Sequence, residues 1–111
     1  MKYNKYSNVK VTVDGYKFDS KKELKQYQEL KLLLKAGVIK ELTLQPEFVL
    51  QQSFKLNGVT HRKISYVADF KYIQGKEIVV VDVKGFKTDI YRLKKKLFLK
   101  KYGEQLTFIE T

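Results

Sequence analysis

The sequence predicts an α/β domain in which a mixed β-sheet is flanked by two α-helices and preceded by an N-terminal β-hairpin. Three observations lead there. Two stretches of helical periodicity are each bracketed by capping signals. The segments between and after them are rich in β-branched and aromatic residues. The run IVVVDV at 78–83 is apolar on both of its faces, as in a strand covered on each side. At 111 residues, 43% hydrophobic with eight Tyr and seven Phe, the chain has the size and material for a single domain spanning 1–111.

Taken in order, VKVTVDGYKF alternates apolar and polar residues about Asp14-Gly15 and reads as a hairpin with a tight turn. A helix follows over about 21–36. Ser20 and Glu23 have the spacing of a capping box, and Gly37 sits where a C-terminal cap belongs. The segment VIKELTLQPEFVLQQSF is extended but interrupted near Pro46, the chain's one proline, which cannot donate to a ladder. Asn57-Gly58 marks a turn, and RKISYVADFKY and KEIVVVDVKG are further strands. A second helix over about 88–102 starts from a Thr88 or Asp89 cap and stops at Gly103, and QLTFIE closes the chain as a strand. The helices lie on either side of the sheet or both on one.

Composition narrows the chemistry. Without cysteine there is no disulfide framework, thiolate zinc site or cysteine nucleophile, which fits a reducing compartment. The single histidine, His61, excludes a two-histidine zinc site and an HNH-type nuclease centre. Any metal must be held by oxygen. No stretch has the length of a membrane span and the N-terminus lacks an apolar signal core, so a soluble cytoplasmic protein is expected. The net charge of +11 predicts a polyanionic partner, nucleic acid first; a basic surface kept for solubility is the plainer reading.

Against this background a few acids are out of place. On the first helix, Glu23, Tyr27, Leu30 and Leu34 share one face, so Glu23 lies within the apolar stripe. Completing the capping box is a compatible role for it. In the strand, Ile78, Val80, Asp82 and Lys84 point one way and Val79, Val81 and Val83 the other. Asp82 and Lys84 alone read equally as an ion pair at a strand end. Asp69, in YVADFKY, adds another carboxylate to an apolar strand, and three such acids call for a counterion; oxygen ligands suit Mg²⁺ or Mn²⁺.

The set Glu23, Asp69 and Asp82-Val83-Lys84 resembles the PD-(D/E)XK nuclease superfamily, with its restriction-endonuclease-like core. The stretches FDSKKELKQYQELKLLLKAGVIKELTLQPEF, YVADFKY and DVKGFKTDIYRLKKKLF more closely resemble small phage and prophage Holliday-junction-resolvase-like nucleases. Ala68 stands where the superfamily's name has proline. The resemblance implies that Asp69, Asp82 and the Val83 carbonyl hold one or two Mg²⁺ or Mn²⁺ ions, with Glu23 contributing directly or through water. It implies that Lys84 orients the attacking water or stabilises developing charge, and that DNA is cut to 5′-phosphate and 3′-hydroxyl ends. A bacterial host cytoplasm and phage or prophage origin are implied too. Gln45 lies near the site or simply fixes the bend at Pro46.

Lys21, Lys22, Lys25, Lys87, Arg92, Lys94, Lys95, Lys96, Lys100 and Lys101 flank the proposed centre and would hold DNA phosphates, though a solvated helix surface has the same composition. Tyr91 and Phe98 read as packing residues rather than base-stacking platforms. The DNA substrate, branched forms included, is left open, and a homodimer is expected only if junctions are resolved. Two competing readings remain: a non-catalytic DNA-binding or recombination-accessory protein on the same fold, and an interaction protein without strong DNA affinity.

Overall fold

A computed structural model describes residues 11–83 and 87–111. The elements come in the expected order. Strands β1 (Val11–Val13) and β2 (Tyr16–Phe18) pair antiparallel about Asp14 and Gly15, both at positive φ, as a two-residue turn between twisted strands requires. Val9 and Lys10, expected in this hairpin, lie outside the described residues. Helix α1 (Lys21–Lys35) is capped by Ser20, whose Oγ accepts the Glu23 N–H at 3.1 Å. At its other end the Val38 N–H reaches the Leu33 carbonyl at 2.9 Å and the Gly37 N–H the Leu34 carbonyl at 3.1 Å, a Schellman closure.

Gly37 makes that closure with φ at +79°, and a Cβ added there would meet no atom within 4 Å. The cost of Gly37→Ala is therefore conformational alone, and thermal unfolding is expected to report a loss of about 1 kcal/mol.

After α1 come β3 (Lys40–Leu44), β4 (Glu47–Gln51), β5 (Phe54–Leu56), β6 (Val59–His61), β7 (Ile64–Val67), β8 (Phe70–Gln74) and β9 (Glu77–Asp82). Helix α2 (Asp89–Tyr102), a short 3-10 turn and β10 (Thr107–Glu110) complete the chain. The strands do not join one sheet as the sequence suggested. A four-stranded mixed sheet runs in the order β10-β9-β8-β3, with β10 parallel to β9 and the other pairs antiparallel, while β4 pairs with β7 and β5 with β6 in separate ladders. The break has a local cause. Pro46 has no N–H to give and Gln45 takes φ +52°, so β3 cannot run straight into β4; the Ala68 N–H instead reaches the Pro46 carbonyl at 3.2 Å across the bend.

Strand β9 is covered on both faces, and the helices lie on opposite sides of the sheet. Val79, Val81 and Val83 pack with Phe18, Tyr27 and Leu30 on the α1 side. Val80 packs with Tyr66, Ala68 and Phe98 on the α2 side, where Phe48, Tyr102 and Phe108 surround the Phe98 ring. The α1 stripe is shorter than its periodicity implied: Glu23, Tyr27 and Leu30 are buried, but Leu34 is 40% exposed because the last turn lies outside the packed cluster. Thr88 caps α2, its Oγ accepting the Tyr91 N–H at 3.0 Å, and the Lys101 Nζ and Tyr102 hydroxyl both donate to the Val49 carbonyl, fastening α2 to β4.

Candidate active site

Strand register brings the site residues together. Leu44, Phe70, Val81 and Ile109 form one row across the four-stranded sheet. One step further toward the same end stand Gln45, Asp69, Asp82 and Glu110, of which Glu110 pairs with Asp82 across the parallel β9–β10 ladder. Three of the residues singled out by sequence thus fall in a single row. Glu23, on the first turn of α1, is buried beside it and acts electrostatically on Asp69.

Each carboxylate is held by a different device. The regular β8–β9 ladder gives way at Asp69: its N–H donates to the Val81 carbonyl at 3.1 Å, and its own Oδ2 takes the Val83 N–H at 2.6 Å, replacing a backbone acceptor. Asp82 is completely buried, and its Oδ2 accepts a hydrogen bond from the Tyr66 hydroxyl. Burial, then the neighbouring Asp82 and Glu23 charges, push the Asp69 carboxyl up to about 7 in spite of the Val83 N–H, which favours its charged form. Among the groups that raise Asp69, the Asp82 carboxylate is its neighbour across the β8–β9 register.

A second network adjoins this pair. The Tyr91 hydroxyl donates to Glu110 Oε2, Lys87 Nζ stands 2.9 Å from Glu110 Oε1 and Lys95 Nζ 3.1 Å from Oε2. The Tyr91 hydroxyl first, and then the two lysines, pull the Glu110 carboxyl down to about 2. The Tyr66 and Tyr91 rings are 6.3 Å apart, and burial raises both phenols well above their ordinary value, Tyr66 further through Asp82 and Tyr91 through Glu110. A protonated tyrosine therefore backs each of these two acids. Removing the donor to Asp82 by Tyr66→Phe is expected to lower the unfolding free energy by about 1.5–3 kcal/mol in urea titration.

Tyr66 and Glu110 are not among the residues the sequence points to, and Tyr91, which reads there as a packing residue, also donates its hydroxyl to Glu110. Glu110 carries the same signal as Asp82, an acid closing an apolar strand, in LTFIE. Among the residues the sequence does point to, Gln45 has an exposed side chain and contributes a backbone N–H, 2.9 Å from the Asp69 carbonyl, at the bend. Lys84 and Gly85 lie outside the described residues. Lys21, Lys22 and Lys25 are exposed around Glu23; Lys96 and Lys100 are exposed on α2, and Lys94 is half-buried. Lys87 and Lys95 are engaged with Glu110, and Arg92 approaches Asp89 at 3.9 Å.

As to a metal, no three acidic or histidine side chains among the described residues form a ready-made ligand group. The tighter unit is the Asp69–Asp82 pair, with Glu23 as a third charge. The hard carboxylate oxygens of Asp69 and Asp82, completed by water and phosphate oxygens, are a donor set of the kind that suits Mg²⁺ or Mn²⁺. Among the described residues no helix is long and apolar enough to cross a membrane.

The chain belongs to the family described as "Protein of unknown function (DUF1064)", whose model matches residues 3–111. Comparison with curated proteins and with solved structures gives no match.

Proposed function

We propose that this DUF1064 member is a metal-dependent DNA endonuclease of PD-(D/E)XK type, built on a restriction-endonuclease-like core, encoded by a phage or prophage and acting on DNA, branched or junction forms above all, in a bacterial cytoplasm. The observation that supports it best is the row in which Asp69 and Asp82 face one another with Glu23 behind, within a chain of net charge +11. A protein that only gripped DNA would gain nothing from three clustered carboxylates in an otherwise basic chain. Carboxylates that neutralise a cation gain a great deal.

Asp69, Asp82 and the Val83 carbonyl are the proposed ligands, with Glu23 acting directly or through water. When bound there, Mg²⁺ or Mn²⁺ supplies Lewis-acid polarisation of a phosphate oxygen. The chain's own residues do the rest. The Val83 N–H and the Tyr66 hydroxyl each fix one carboxylate oxygen, so the acids need little reorganisation to bind. Lys84, two residues beyond Asp82, is the proposed group that orients the attacking water or stabilises charge on the phosphoryl oxygens. Lys21, Lys22 and Lys25 hold the backbone of the DNA on the α1 side. Water attacks phosphorus, the bond to the 3′-oxygen breaks, and 5′-phosphate and 3′-hydroxyl ends result.

The test is cleavage of supercoiled plasmid and of synthetic linear, forked and four-way-junction DNA in Mg²⁺ or Mn²⁺, wild type beside Asp82→Ala. Cutting by the wild type alone is the expected result. If both proteins bind every DNA and cut none, the chain is a binding protein and the reading fails.

A further inference from the structure

The ladder that leaves the site at Asp69 ends in a ribbon with two unlike faces. Phe54, Lys55 and Leu56 pair with His61, Thr60 and Val59, and Asn57 and Gly58 turn the chain at positive φ. Alternation puts Phe54, Leu56, Val59 and His61 on one face and Lys55 and Thr60 on the other. The Phe54 and His61 rings stack with centroids 4.7 Å apart and planes 14° from parallel. Every residue of this ribbon is exposed, Leu56 at 58% and Val59 at 55%, so a stacked ring pair and two aliphatic side chains stand in water.

Charge selects what such a face can meet. From Phe48 to Ala68 the sequence contains no Asp or Glu, while Lys55, Arg62 and Lys63 supply three cations. Of these, Lys63 approaches Glu47 at 3.2 Å. A second copy of this chain would bring the same cations, and a net charge of +11, against themselves. A nucleic acid is attracted instead. Paired DNA keeps its base faces covered by stacking, whereas an unpaired strand offers them, and aromatic rings framed by cations are what hold such a strand.

We propose that the β5–β6 ribbon is a stacking platform for unpaired DNA bases. His61 lies eight residues from Asp69, at most about 26 Å along an extended chain, less than the ~34 Å of one duplex turn. A strand unpaired at the ribbon therefore becomes duplex within a turn of the carboxylate row, which makes forked or flapped DNA the substrate class of that site. This last step rests on the nuclease reading; the platform itself does not.

Fluorescence anisotropy in EDTA tests the platform, with a forked oligonucleotide carrying a single-stranded arm and a fully paired duplex of equal length as probes. The wild type is expected to bind the fork about tenfold more tightly than the duplex. Phe54→Ser should remove that preference and leave duplex affinity within about twofold; His61→Ala, which removes the other ring, should do the same if Phe54→Ser folds poorly by circular dichroism. Arg62→Ala should weaken both probes and reduce the salt slope by about one. Equal binding of fork and duplex by the wild type, or an undiminished preference in both ring variants, overturns the proposal. So does a wild-type dimer that Phe54→Ser converts to monomer in sedimentation, which would assign the face to a second copy. With no divalent cation present, the outcome is independent of cleavage: a preference that survives in a protein cutting nothing sinks only the nuclease reading, and Asp82-dependent cutting without a preference sinks only the platform.

Discussion

Asp82→Asn is expected to eliminate DNA cleavage, by a factor of at least about 10³, and at the same time to raise the stability of the metal-free protein by about 1–2 kcal/mol. The opposite signs follow from the surroundings of one side chain. Asp82 is fully buried, accepts a hydrogen bond from Tyr66 and shares its end of the strand with Asp69. Asparagine has nearly the same volume and keeps a carbonyl oxygen for the Tyr66 hydroxyl, so packing changes little. What disappears is a fully buried carboxylate charge, a destabilising element of the metal-free folded chain. A residue kept for structure would behave otherwise, because replacing a buried, hydrogen-bonded group ordinarily destabilises. Urea unfolding in EDTA and a nicking assay in Mg²⁺, run on the same preparation, decide between the two. A marked loss of stability in Asp82→Asn would make Asp82 a structural acid, and retained cutting would remove it from the chemistry.

The element plan was legible because its signals are local. Ser20, Gly37, Thr88 and Gly103 mark helix ends through backbone groups that the helix itself leaves unpaired, and such signals need no knowledge of the rest of the fold. The double burial of β9 was equally readable, since alternation along six residues shows valines on both faces. Convergence of Asp69 and Asp82 was only inferable from two misplaced acids; what brings them together is the β8–β9 register, a pairing between strands. Glu110 escaped for the same reason. Its neighbour Asp82 lies across a parallel ladder whose connection includes the whole of α2, and no local pattern reports that pairing. The break into separate ladders was hinted at by Pro46, but proline alone does not disclose that Gln45 adopts the left-handed conformation beside it.

Stability should depend on pH in two separate windows, each set by one acid of the row. Folded Asp69 holds its proton up to about pH 7, against an ordinary value of 3.8. Between those pH values the folded protein carries a proton that the unfolded chain has released, so unfolding free energy falls as pH rises from about 4 to 7 and then levels. The shift corresponds to at most about 4 kcal/mol. Glu110 behaves oppositely: its carboxyl is held down to about 2, so its contribution is fully present above its ordinary 4.5 and is lost as pH falls through that value toward 2. A maximum near pH 4–5 is therefore expected in EDTA. A divalent cation competes with the Asp69 proton, since a ligand carboxylate must be ionised. Added Mg²⁺ should raise the melting temperature at pH 7.5, by an amount that grows with concentration, and have little effect at pH 5. Asp69→Asn should flatten the upper window and abolish the Mg²⁺ response together, because one carboxylate accounts for both. Unfolding free energies that stay constant from pH 5 to 8 in the wild type would contradict the first expectation, and equal Mg²⁺ stabilisation of wild type and Asp69→Asn would place the cation elsewhere.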